Sequence, residues 1–202
     1  MVSGIRTIDA VDLIVPPSLQ RHIAVPSRRQ FLRTVSLLPA MAILPSTVLG
    51  RDFWNLPREL WMRRRATGEE VRAVYLANGQ LQVNGYVALC RLLRDVQADQ
   101  AVQIDLVLLD ILRGIYGWFD AYGMTRPIDI TSGYRTQHTN HTEGGARNSM
   151  HKFGKAADLR MDGVPTAYMA KLGKYLAGGG VGYYAHKGFV HVDSGHLRYW
   201  AG

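Results

Sequence analysis

The chain has 202 residues, 47% apolar and 20% charged, with a net charge of +8. That is ordinary globular composition, long enough for one full-sized domain with a substantial core, and it excludes wholesale disorder. The arginines are scattered and no nucleic-acid-binding signature accompanies them, so the basic balance does not point to nucleic acid as a partner.

In chain order, the first distinctive stretch is SRRQFL at 27–32, followed by RTVSLLPAMAILPSTVLG. Paired arginines, then Phe-Leu, then about 15 mostly apolar residues form the pattern of a twin-arginine export signal. A membrane span needs about 20 such residues, and Pro39 and Pro45 oppose a regular buried helix. With no clean A-x-A cleavage site, the segment is either a signal or a retained anchor. Residues 1–50 are therefore expected to be an export signal or anchor with an N-terminal extension, and 51–202 a single domain. The expected location is periplasmic or cell-envelope, with the membrane touched only through an uncleaved N-terminal segment.

Residues 58–83 carry two apolar/polar runs separated by Thr-Gly and ended by Asn78-Gly79, the pattern of a β-hairpin or meander. Helical spacing follows over 86–95 and about 104–122; in the second, Leu108, Ile111, Leu112, Ile115 and Phe119 form one core face. Cys90, the single cysteine, lies in the first of these. It excludes an internal disulfide and a CxxC zinc site and reads as a small buried hydrophobe, so any metal must be held by His, Asp or Glu. Pro127 precedes a short strand, IDITSGY, and the polar, glycine-bearing HTNHTEGGARNS reads as a loop. KAADLRM is a predicted strand, TAYMAKLGKYLA a helix, GGGVGYY leads into a strand, AHKG is a turn and FVHVD a strand. The fold class is α+β: helices packed on a small, largely antiparallel sheet.

Six of the seven histidines fall between 138 and 196. In FVHVD, strand alternation puts Phe189, His191 and Asp193 on one face and Val190 and Val192 on the core face. In SMHKFGKAADLR, a turn at Phe153-Gly154 can bring Asp158 back beside His151, with Ala156 and Ala157 leaving room. His151, Asp158 and His191 then offer N, O and N ligands, and a catalytic zinc commonly has three protein ligands and a fourth position for water.

The motif S-x-H-x-x-G-x-A-x-D, from Ser149 to Asp158, resembles the signature of the zinc D-alanyl-D-alanine peptidase family, and HVD resembles that family's second metal segment. TSGYRT (131–136), GGVGYY (179–184), FVHVD and RYW (198–200) resemble its murein endopeptidase K branch, and the LLRD at 92–95 fits the same branch. The resemblance covers roughly 54–200. It implies one Zn2+ held by His151, Asp158 and His191, with Arg135, the Arg of SGYR, facing substrate. The implied substrate is the peptide stems or cross-links of peptidoglycan, with endopeptidase cleavage preferred over D,D-carboxypeptidase trimming. Relatives place Glu or His just before the last ligand, where this chain has Gly188 and Phe189. The candidates for general base are then Asp193, preferred, and His186, with Glu143 a lesser loop candidate; His138, His141 and His196 read as surface or substrate-side residues. The missing upstream base also leaves open a non-catalytic, zinc-stabilised wall-binding module.

Overall fold

A computed structural model of the chain describes residues 51–202. The arginine pair and the apolar run after it lie outside the described residues. The elements are α1 Arg51–Asn55, β1 Arg58–Arg64, β2 Glu69–Ala77, β3 Gln80–Leu81, α2 Val83–Leu92, α3 Leu106–Ala121, β4 Ile128–Ser132, α4 Gln137–Thr142, a 3-10 turn Met150–Phe153, β5 Ala156–Arg160, α5 Thr166–Leu176, β6 Gly180–Tyr184, β7 Phe189–Asp193 and β8 Arg198–Ala201.

The strands form one sheet in the order β3-β2-β1-β4-β5-β7-β6-β8. Every pairing is antiparallel except β1 with β4 and β6 with β8. The α+β class and the largely antiparallel sheet agree with the sequence. The 58–83 meander forms as expected, with Arg64–Gly68 turning between β1 and β2 and Asn78-Gly79 between β2 and β3. Three elements were not anticipated, the short helix α1 among them. Arg198–Ala201 joins the sheet beside β6 although RYW shows no alternation long enough to announce a strand. The polar stretch after Arg135 begins with a helix, α4, capped by the Thr136 hydroxyl, which accepts from the Thr139 N–H.

Helices α2, α3 and α5 pack against the sheet and share one continuous apolar core with it. The predicted stripe on α3 is that core: Leu108, Ile111, Leu112, Ile115 and Phe119 are all buried. Val190 and Val192 of β7 are fully buried within it, as are Ala157 and Leu159 of β5. Alternation therefore turns Asp158, His191 and Asp193 to the other face. Cys90 is fully buried, and burial pushes its thiol up to about 11, so it is a packing residue. Among the described residues no helix is long and apolar enough to cross a membrane.

Candidate active site

Neighbouring strands set the site. β5 and β7 pair with Asp158 directly opposite His191, so two of the candidate ligands are cross-strand partners on one face. His151 arrives from the 3-10 turn before β5. That turn ends at Gly154, whose φ of 65° is left-handed, and a Cβ there would lie 2.6 Å from the Gln103 carbonyl oxygen. The turn delivers His151 back over Asp158. His151 Nε2 lies 3.2 Å from Asp158 Oδ1, His191 Nδ1 lies 2.9 Å from the same oxygen, and the two ring nitrogens are 3.1 Å apart. All three side chains are buried.

The outer ring nitrogens have the partners that a cation at the inner ones requires. His151 Nδ1 donates to the Gly133 carbonyl at 2.6 Å, and His191 Nε2 donates to Asp193 Oδ2 at 2.9 Å. With both rings neutral and these outer bonds made, the inward nitrogens are lone pairs, and they meet a carboxylate oxygen. Three acceptors with no hydrogen between them fit a cation. Separations of 2.9–3.2 Å are close to the spacing of about 3.4 Å set by ligand bonds of about 2.1 Å at a tetrahedral angle. A proton on either ring would supply the same positive charge, and the electrostatics show the cluster's demand for it. Burial alone would raise Asp158, but the charge and hydrogen bonds of His151 and His191 hold it far below the carboxylate range. Burial would lower His191, but Asp158 and Asp193 raise it. The cluster attracts positive charge.

The space above the cluster is a cleft of about 680 Å³. One wall is the segment after α4, from Glu143 through Ser149, and the other holds Tyr184, Lys187, Phe189, Arg198 and Trp200. Arg135 spans the cleft's interior. Its Nη2 donates to Asp158 Oδ2 at 2.7 Å and its Nε to Ser132 Oγ at 2.7 Å, with Glu143 Oε2 at 3.1 Å from the same nitrogen.

Asp193 shares the strand face of His191, as alternation required, but it serves the outer side of the ring. It is fully buried and accepts from His191, from the Gly180 and Gly195 N–H groups and from Arg198. These donors outweigh burial and hold it at about 2. Asp193 does not line the cleft, and neither does His186, which is exposed on the β6–β7 turn. His138, His141 and His196 are likewise exposed and off the cleft. Glu143 is the carboxylate besides Asp158 that lines it.

Several contributors went unread in the sequence. Asp95, the last residue of LLRD, accepts from the Thr136 N–H at 2.8 Å, while the Leu93 carbonyl accepts from the Tyr134 N–H at 2.7 Å. Together they brace the turn that carries Arg135. Gln97 Nε2 donates to Glu143 Oε1 at 2.9 Å. Asn140, buried, donates to the Ala146 carbonyl and accepts from the Gly145 N–H, which shapes the first wall. In GGVG the glycines make room. A Cβ at Gly180 would lie 2.5 Å from Asp193 Oδ2, and one at Gly182 would strike the Trp200 indole.

Three buried acceptors at the floor of an open cleft, with a guanidinium alongside, define a metal-dependent hydrolase of the metallopeptidase class. Comparison with known proteins is specific. A family profile described as peptidoglycan L,D-endopeptidase MepK matches residues 54–200, and the chain belongs to this family. It is 31% identical over 180 residues to peptidoglycan L,D-endopeptidase MepK of Escherichia coli K12, covering 86% of this chain and 97% of that one. It is also 31% identical over 182 residues to a probable MepK of Haemophilus influenzae, covering 87% and 96%. A zinc D-Ala-D-Ala carboxypeptidase of Streptomyces albus G is 33% identical over 79 residues, 38% of this chain and 31% of that one. The chain is thus a hydrolase of a zinc metallopeptidase family.

Proposed function

We propose that the protein is a zinc-dependent peptidoglycan L,D-endopeptidase that cuts peptide cross-links, with His151 Nε2, His191 Nδ1 and Asp158 holding the ion. The observation that carries this reading is the convergence of those three acceptors, all within 4.8 Å of one another, at the floor of the cleft. Zinc held there would polarise the scissile carbonyl and bring the pKa of a bound water down to about 7. The chain's own residues do the rest. Glu143 takes the proton, as the cleft carboxylate that neither histidine engages; Gln97 and Arg135 hold it from two sides. Arg135 also stabilises the negative charge that develops on the substrate oxygen, a contribution of about 3 kcal/mol. Asp193 keeps the His191 ring turned with Nδ1 inward, so it orients a ligand where the strand pattern alone suggested a base.

Export by the twin-arginine route, to the periplasm or cell envelope, belongs to the same proposal. The aligned share of the Escherichia coli relative, 86% of the chain, is more than residues 51–202 contain. The likeness therefore begins upstream of residue 51.

Digestion of defined cross-linked muropeptides, with and without a chelator, tests the reading. New fragments that disappear with the chelator are expected, and Glu143→Gln should lower kcat about a hundred-fold with zinc content unchanged. Binding without turnover by the zinc-loaded protein would instead indicate a wall-binding module.

A further inference from the structure

The cleft contains three cationic side chains besides the histidines: Arg135, Arg198 and Lys187. Two are already neutralised. Arg135 is paired with Asp158 and Glu143, and Arg198 grips Asp193 with both terminal nitrogens, at 3.1 and 2.7 Å. Lys187 differs. It stands exposed on the β6–β7 turn, its ammonium 5.7 Å from the centre of the Tyr184 ring, and among the described residues it pairs with no carboxylate. The surface beneath it is aromatic and rigid. Tyr184 stacks on Phe189 at 4.6 Å, and the Trp200 indole N–H donates to the Tyr184 hydroxyl at 3.0 Å. Trp200 in turn lies 5.3 Å from the His191 ring. An aromatic strip therefore runs from the ligand histidine outward and ends at an unpaired positive charge.

We infer that Lys187 is a specificity-determining residue that receives the carboxylate of a substrate side chain whose aliphatic stem lies on the Tyr184–Trp200 strip. This rests on the peptidase reading and deepens it: the substrate residue beside the scissile bond is a long aliphatic side chain ending in a free carboxylate. Apolar stems pack well on aromatic faces, and a cation with no internal partner is free to pair without first breaking an ion pair.

The test uses two cross-linked muropeptides identical except that the side-chain carboxylate beside the scissile bond is free in one and amidated in the other. The full chain, zinc-loaded, should favour the free form in kcat/KM by about five-fold, the scale of a solvent-exposed ion pair. Lys187→Gln should bring that ratio near one, and Lys187→Glu should invert it. Lys171→Gln removes an equal charge from exposed α5 surface off the cleft and should leave the ratio intact. An unchanged ratio in Lys187→Gln overturns the inference, as does an equal fall in Lys171→Gln, which would assign the preference to net charge. If the wild type cleaves neither peptide, the peptidase reading fails. The ratio of the two dissociation constants, measured by calorimetry on the same four proteins, then decides the role of Lys187 by the same criteria.

Discussion

Two polar clusters of the domain follow opposite rules. Between β1, β2 and α3, Asp110 accepts from both Tyr75 Oη and Arg58 Nη1. Every carboxylate oxygen there meets a hydrogen, and the group left without a partner, Arg58 Nε, is a donor that no cation could complete. Between the 3-10 turn, β5 and β7, His151, Asp158 and His191 are more deeply buried than Arg58 and Asp110, yet they present acceptors to one another. Burial of polar groups does not by itself mark a functional site. An excess of buried acceptors does, because such a cluster is costly unless something outside the chain completes it.

The comparison can be broken at several points. The largest effect is expected at the unbalanced cluster: His151→Ala should lower muropeptide cleavage by about three orders of magnitude or more, with zinc content measured by elemental analysis falling in parallel. The Asp110 cluster should respond in the opposite currency. Asp110→Ala leaves Arg58 and Tyr75 without their acceptor and should cost about 3 kcal/mol in urea denaturation, with zinc stoichiometry unchanged. A smaller effect lies one contact away from the site. Asp193→Asn should weaken zinc binding by about ten- to a hundred-fold in a chelator competition, since the ring would lose its charged anchor. The same carboxylate gives the metal-free protein an acid limb. Its folded value of about 2 lies below the unfolded value of about 4, so its stabilisation is full above about pH 4 and is lost as pH falls toward 2. Thermal melts across that range should show the limb, and Asp193→Asn should flatten it.

Much of this was legible in the sequence because strand alternation is a strong constraint. FVHVD separates two core valines from His191 and Asp193, and the structure keeps that separation. Gly154 signalled the return of the chain that brings His151 and Asp158 together. Alternation names a face and stops there. It does not say which ring nitrogen turns inward, so it could not reveal that Asp193 serves the outer nitrogen of His191. The wall carried by α4 was hidden for another reason. Its order comes from buried Asn140, from the Thr136 cap and from Asp95, 41 residues earlier than Thr136 in sequence, and polarity alone does not distinguish such a braced segment from a free loop. The β1–β4 pairing is parallel and joins strands separated by α2 and α3, a contact that no local pattern encodes.

The most direct test is anomalous diffraction at the zinc edge on crystals of the zinc-loaded protein. The account predicts one zinc per chain, at about 2.0–2.2 Å from His151 Nε2, His191 Nδ1 and an Asp158 oxygen, with His191 Nε2 still held by Asp193. Zinc bound elsewhere, or coordinated through His191 Nε2 with Asp193 displaced, would contradict it.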